Sequence, residues 1–278
     1  MANSKRSVPD AYLATGFAQV DARQEIEPFA ACLTLLDSLP NFRAYKEKSY
    51  DLLELNAGQS ILEVGCGLGD DLRRMSQQLG DTGRLVGVDA SLALLKQGRT
   101  RLLDWPCIDW IHADARRLPL PADSFDRCRI DRTLQHIEDP EQVIVEMARV
   151  LKPSGQMLAY DNDWGTFSIS GQDETTCRQL EDLWTGAITN RVIGRHLPRL
   201  FQNAGLTRVR VEPSVSVLTD FELADHVYNL RATATLAIDR GIVDAEHVDC
   251  WLEDLQLQSQ KGVFMCSLTA YTVVGQKP

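Results

Sequence analysis

The chain has 278 residues, 29 of them Lys or Arg and 39 Asp or Glu, for a formal net charge of −10. Hydrophobic residues at 44% and charged residues at 24% exclude a wholly disordered chain, because enough apolar surface is available to offset the entropy of ordering it. The acidic balance, with no basic run, argues against nucleic acid as a partner, since phosphate binding draws its affinity from clustered Lys and Arg.

The cysteines (Cys32, Cys66, Cys107, Cys128, Cys177, Cys250 and Cys266) are odd in number and scattered, with no Cys-x-x-Cys pair. Reduced thiols are expected, with neither a metal site nor a disulfide framework. The first twenty residues lack the apolar core of a signal peptide. No stretch approaches the ~18–20 apolar residues of a membrane span. A cytoplasmic protein without membrane contact is therefore expected.

Residues 10–57 read as helices. Ile26, Phe29, Ala30, Leu33 and Leu36 recur at spacings of three and four, Pro40 interrupts, and a second periodic stretch from Tyr45 to Leu55 stops at Asn56-Ala57-Gly58. Ser60–Val64 is a short apolar run that enters a glycine cluster, as a buried parallel strand does. A helix over Asp70–Leu79, a strand over Arg84–Asp89 and a helix over Ser91–Leu103 follow, with Ser91 able to cap the last. Ile108–His112 and Phe125–Ile130 are further strands. Pro140–Leu151 is a helix ending in a Lys152-Pro153-Ser154-Gly155 turn, and Gln156–Tyr160 is a fifth strand. This alternation predicts βα units around a parallel sheet covered on both faces.

Beyond Asp161 the alternation breaks. Residues 172–189 and 192–203 read as helices, Thr207–Val211 as a strand, Phe221–Ile238 and Asp244–Gln258 as helices, and Val263–Val274 as a closing strand. Four parts are expected: a helical N-terminal cap (1–58), a core (59–213), a helical insertion (214–260) and the closing strand of the core (261–278). Cap and insertion should cover the carboxyl edge of the sheet, where open α/β sheets bind ligands.

The strand Ile61-Leu62-Glu63-Val64 runs into Gly65-Cys66-Gly67-Leu68-Gly69, where glycines allow positive φ and close approach of a ligand to the backbone. A dinucleotide fingerprint would place its third glycine where Asp70 stands. Asp70 and Asp71 suit the helix dipole but oppose a pyrophosphate, so this loop does not read as a dinucleotide site. Asp89 closes the second strand, where a carboxylate accepts from ribose hydroxyls. Asp114 closes the third and can accept from an adenine amino group. Acids at three successive strand ends ask for a nucleoside that carries a positive charge.

On these residues the chain resembles the class I S-adenosylmethionine-dependent methyltransferases, in the small-molecule type 11 branch that includes quinone-biosynthesis C-methyltransferases. The carrying motifs are Glu63–Gly69, Val86-Gly87-Val88-Asp89, Asp114-Ala115, the run from Leu118 to Asp126 and Arg149-Val150-Leu151-Lys152-Pro153-Ser154-Gly155, in the family's order over about residues 60–161. Ser154 departs from the glycine the family has there, which touches a turn and not the chemistry. The resemblance implies a Rossmann-like seven-stranded sheet of order 3-2-1-4-5-7-6 with the last strand antiparallel, and S-adenosylmethionine as cofactor. It implies that Gly65 and Gly67 border the methionine moiety with Glu63 behind and Cys66 in the loop. Asp89 would hold the ribose, Ala90 would pack on the adenine, and Asp114 with the Ala115 amide would read its edge.

The loop Asp131-Arg132-Thr133-Leu134-Gln135-His136 faces the transferred methyl in that family. His136 is the candidate general base, and Arg132 could pair with the cofactor carboxylate or with Asp131. Asp163, Trp164 and Phe167, after the fifth strand, could orient and stack on a substrate. Tyr12, Phe17, Arg43 and Tyr45 are candidate lid contacts. The expected activity is methyl transfer to O, N or C of a small aromatic or polycyclic metabolite by a monomer or homodimer. The alternatives are a nicotinamide-dependent oxidoreductase and a module that binds the cofactor without turnover.

Overall fold

A computed structural model describes residues 13–22, 25–80, 82–105 and 107–278. Its strands are β1 (Ser60–Val64), β2 (Arg84–Asp89), β3 (Ile108–His112), β4 (Phe125–Asp131), β5 (Leu151–Ile169), β6 (Thr207–Leu218) and β7 (Cys266–Gln276). They form one sheet of order β3-β2-β1-β4-β5-β7-β6. Strands β1 to β5 pair in parallel, and β7 runs antiparallel between β5 and β6. Order and reversed strand are those the resemblance implies.

The helices are α1 (Leu13–Gly16), α2 (Glu27–Ser38), α3 (Pro40–Leu52), α4 (Asp70–Leu79), α5 (Leu92–Arg101), α6 (Pro140–Val150), α7 (Glu174–Thr185), α8 (Ile193–Asn203), α9 (Phe221–Tyr228), α10 (Leu230–Asp239) and α11 (Ala245–Gln260). None of them is long and apolar enough to cross a membrane. Pairing strands bury both faces. Leu62, Val64, Cys128 and Ile130 pack with α6 and α8. Ile61 packs with Leu72 and Met75 of α4 and Tyr50 of α3 on the other face. Because side chains alternate along a strand, Glu63 shares the α3–α4 face with Ile61. Short polar side chains start the helices: Ser91 caps α5, and Asp139 caps α6 ahead of Pro140.

The structure departs from the sequence reading at four places. Pro40 does not merely interrupt; it opens α3 at the first turn, where its missing N–H costs nothing. The fifth strand does not end at Tyr160. β5 runs on to Ile169, with residues 152–155 looped out of the β4 ladder and a bulge against β7 between Asp163 and Ser168. β6 likewise extends to Leu218, so the chain leaves the sheet at 219 and not 214, and returns at Cys266. The helix expected over Phe221–Ile238 is two, α9 and α10, broken at Asn229 with φ 48°.

The prolonged ends of β5, β6 and β7 make the base of the cap. Trp164, Phe167, Ile169, Leu218 and Leu268 join one apolar cluster with α2, α7, α9, α10 and α11. Thus α7, within the stretch expected to be core, belongs to the cap's packing.

Candidate active site

Where the parallel strands end, the loops after β1 to β4 and the overlying cap enclose a cavity of about 880 Å³. That is the upper end of the roughly 300–1,000 Å³ of small-molecule sites. Among the described residues no cluster of His, Cys, Asp and Glu could hold a metal.

Gly65, Gly67 and Gly69 sit at φ 71°, 52° and 81°. A Cβ on Gly65 would lie 2.1 Å from Thr133 Oγ1, so the loops after β1 and β4 close on each other only because no side chain intervenes. The Gly67 amide donates to Asp89 Oδ2 (2.8 Å) and the Ser91 amide to Asp89 Oδ1 (2.8 Å). Burial pushes the Asp89 carboxyl up, opposed by those amides. His112 Nε2 donates to the Ala90 carbonyl (3.0 Å), which fixes the ring at the cavity edge. Asp114 is half exposed and held by Arg116 through Nε (3.1 Å) and Nη2 (2.7 Å), which keeps its carboxyl below the usual range. Asp21 bonds the Ser91 hydroxyl (2.5 Å) and the Leu92 amide (2.8 Å), so it tethers residues 17–22 across the cavity to the start of α5.

Below the glycine loop lies a layer of buried charge. Arg129, fully buried, donates to Glu63 Oε1 (2.5 Å) and Asp131 Oδ2 (2.8 Å), with Asp71 at 3.4 Å. Register places Glu63 directly opposite Arg129. Lys46 of α3 bridges Asp71 and Asp131, and Tyr50 also donates to Asp71. Asp71 is therefore far below the ordinary carboxylate range: its two cations outweigh burial. Glu63, which shares Arg129 with two other acids, is pushed by burial up to about 8, and its Oε2 has no hydrogen-bond partner among the described residues.

His136 ends a short 3-10 turn (Leu134–His136), and its state follows from its neighbours. Trp164 Nε1 can only donate, and it reaches Gln135 Oε1 at 2.8 Å. Gln135 Nε2 must then be the donor to His136 Nε2 (3.0 Å), which leaves the ring proton on Nδ1. Burial, with the Arg132 charge, lowers the His136 pKa to about 3. The ring expected to be a general base is thus neutral, with its basic lone pair already engaged.

Asp161 is buried beside this network and accepts from the amides of Asn162 (2.9 Å) and Gln135 (3.2 Å). Burial nevertheless pushes its carboxyl up to about 8, far above the ~3.9 of an unfolded chain. The fold binds this proton more tightly than the unfolded chain does. Asp161 therefore contributes stability that is full below about pH 4 and is lost as pH rises through about 8. The melting-temperature advantage of the native protein over Asp161→Asn should accordingly shrink between pH 5 and 8.5. A difference constant with pH would show that Asp161 does not titrate there.

Gly65, Gly67, Asp89, Ala90, Asp114, Ala115, Asp131, Arg132 and His136 all line the cavity, as do Phe17 and Trp164. Phe17 packs 5.2 Å from Phe29 and 5.5 Å from His136. Tyr12 lies outside the described residues. Four expected contacts are corrected. Glu63 is under the loop, bound to Arg129. Cys66 turns into the core, where its sulfur would be 2.9 Å from a Cβ on Gly87. Asp163 is buried and salt-bridged to Arg195 (2.7 Å): β5 stays extended here, and the alternation that turns Asn162 and Trp164 into the cavity turns Asp163 to the other face. Phe167 lies behind the wall, 5.8 Å from Trp164 and 4.9 Å from Tyr228. Of the lid candidates, Tyr45 stacks on Tyr160 (3.9 Å, 3°) and Arg43 is exposed, bonded to the Asp37 carbonyl. Sequence reading missed Lys46, Arg129, Gln135, Asn162, Trp184 and Tyr228. For Arg129 a signal existed: it stands between Cys128 and Ile130 in a strand expected to be covered on both faces, so its charge had to be buried with a partner.

Comparison with known proteins agrees with this geometry. A family model described as a methyltransferase domain matches residues 62–159. An uncharacterized 37.1 kDa protein in transposon Tn4556 of Streptomyces fradiae is 35% identical over 235 residues, 84% of this chain and 67% of that protein. The ubiquinone/menaquinone biosynthesis C-methyltransferase of Hahella chejuensis is 34% identical over 129 residues, 45% of this chain; the chain spans about half of that enzyme's length (52%). Among solved structures, the YcgJ protein of Bacillus subtilis superposes with a TM-score of 0.61 at 18% identity, over 84% of this chain and 98% of that one, a likeness of fold.

Proposed function

We propose that this chain, which belongs to the class I S-adenosylmethionine-dependent methyltransferases of the type 11 branch, is an enzyme that methylates a small, largely apolar acceptor under its helical cap. Membership of that family replaces the nicotinamide and binding-module alternatives. The observation that carries the acceptor reading is one cavity with two chemically different ends. The end along β2 and β3 presents Asp21, Asp89 and Asp114; the end under the cap presents Tyr160, Trp164, Trp184 and Tyr228.

The residues present fit S-adenosylmethionine. Each Asp89 oxygen is used by one amide and keeps a lone pair for a ribose hydroxyl. Gly67 borders the cavity, and a Cβ there would meet only Leu33, at 3.3 Å, so a side chain would stand in the ligand's space. Ala90 and Ala115 are small enough to flank a purine, and Asp114 can share its carboxylate between Arg116 and the adenine amine. Gly65 and Asp131 border the amino-acid end, with Glu63 and Cys66 supporting from below. When bound, the cofactor supplies a methyl group on a sulfonium, and transfer breaks the carbon–sulfur bond with its electron pair left on sulfur.

The chain's task is to hold the acceptor atom about 3 Å from that methyl and keep water away, an orientation effect of several kcal/mol. Aromatic walls suit a ring system, in keeping with the aromatic-metabolite expectation and with the quinone-pathway relative. His136 acts as a neutral hydrogen-bonding group that shapes the chamber, fixed by Gln135 and Trp164.

Incubation with methyl-labelled cofactor and a metabolite extract should give a labelled small molecule by mass spectrometry. Turnover of that acceptor should fall less than about tenfold in His136→Asn and show no limb near pH 6.5, since a general base is worth roughly 10²–10⁴-fold. Absence of any labelled product would overturn the reading of the acceptor. A loss above a hundredfold with a limb near pH 6.5 would restore the base.

A further inference from the structure

Building on the methyl-transfer reading, we infer that the acceptor is an aromatic or polycyclic acid whose anionic group pairs with Arg132 at the cap end of the cavity. Arg132 follows β4 with φ 48°, a left-handed conformation uncommon for a residue with a side chain. Its backbone amide is held by the Tyr160 carbonyl (2.8 Å), and its side chain lines the cavity and is 17% exposed. The guanidinium lies 5.2 Å from the Phe42 ring, and its Nε is buried with no hydrogen-bond acceptor among the described residues.

The nearby carboxylate does not satisfy it. Asp131 Oδ1 is 3.7 Å from Arg132 Nε, beyond hydrogen-bond distance. Asp131 is already shared among Arg129 (2.8 Å), Lys46 (3.3 Å) and Tyr45 (3.3 Å). A cation in such a setting costs stability unless an anion completes it. The charge distribution says where that anion comes from. Acids mark the β2–β3 end of the cavity, and Arg116, the other guanidinium lining it, is held by Asp114 at the mouth. Arg132 shares the cavity lining with Cys32, Tyr160 and Tyr228, and its charge acts on all three. A planar guanidinium beside aromatic walls recognises a carboxylate or an ionised phenol attached to a ring. Arg132, for which the sequence offers the cofactor carboxylate or Asp131 as partner, is thereby a specificity residue for the acceptor.

The test compares two probes of one shape, 2-naphthoate and the neutral 2-naphthamide, by calorimetry on the full chain saturated with S-adenosylhomocysteine. The native protein should bind 2-naphthoate at least tenfold more tightly. In Arg132→Met that preference should collapse to within about twofold, while Arg132→Lys keeps part of it. S-adenosylhomocysteine affinity should change less than threefold in both variants. Equal affinity of the two probes for the native protein, or binding of neither, would overturn the inference whether or not a variant folds. So would a preference that survives in Arg132→Met. A tenfold loss of S-adenosylhomocysteine affinity with the preference intact would return Arg132 to the cofactor carboxylate and refute the inference. If S-adenosylhomocysteine itself fails to bind, the methyl-transfer reading fails separately, and the two probes titrated on the protein alone still decide this one.

Discussion

Replacing Asp89 with alanine is expected to weaken S-adenosylhomocysteine binding by about a hundredfold. In the free protein this carboxylate organises two amides, those of Gly67 and Ser91, each at 2.8 Å. It thereby ties the glycine loop to the start of α5, the two walls of the nucleoside end. In the complex it would also accept from the ribose hydroxyls. Hydrogen bonds to a charged group are worth about 1.5–3 kcal/mol. Losing the ribose contacts and loosening the loop costs about 3 kcal/mol, which is roughly a hundredfold in affinity. Asp89→Asn keeps the shape and one acceptor oxygen and should lose about tenfold. Calorimetry with S-adenosylhomocysteine measures both. A loss below threefold in Asp89→Ala would mean that the nucleoside sits elsewhere.

The second large effect is on stability. Arg129→Met should lower the melting temperature by roughly 10 °C. Arg129 is fully buried and serves Glu63, Asp131 and Asp71 together. Removing one partner of a buried ionic group costs about 3–5 kcal/mol, since the remaining charges stay desolvated. At about 2–4 °C per kcal/mol for a domain of this size, the shift is of that order. Without the guanidinium the three carboxyls would hold protons more tightly in the fold, so the defect should be larger at pH 8 than at pH 5. Adding Glu63→Gln, which removes one of the stranded acids, should recover part of the loss. A melting temperature within 2 °C of the native value would show that the layer is not held by Arg129.

The cofactor half of this site was legible because its signals are local. Strand, glycines and acid follow one another in Glu63–Gly69 and again in Val86–Asp89, and backbone geometry alone gives those residues their places. The order of the strands came with the family resemblance, since neither periodicity nor spacing encodes which strands are neighbours. What the sequence hid depends on partners far along the chain. Asp163 looked like a ligand-edge acid, but its partner is Arg195, 32 residues on. Arg129 looked like one more charge in a strand, yet it meets Glu63, 66 residues earlier. His136 had the right chemistry for a base, and a chain of contacts through Gln135 and Trp164 decided otherwise. The length of β5 was hidden because its polar run Asp161-Asn162-Asp163 reads as a loop. Those groups are satisfied by the Asn162 and Gln135 amides, the Gln135 side chain and Arg195. The cap was the least legible part, as its core unites the ends of three strands with helices drawn from α2 to α11.

These placements rest on the cavity at the glycine-loop edge holding the cofactor. The most direct test is a calorimetric titration of the native protein with S-adenosylhomocysteine, with NADH as the parallel ligand. Saturable binding of one S-adenosylhomocysteine per chain and no heat with NADH are expected; no binding of S-adenosylhomocysteine, or tighter binding of NADH, would mean that the cavity is not a site for this cofactor.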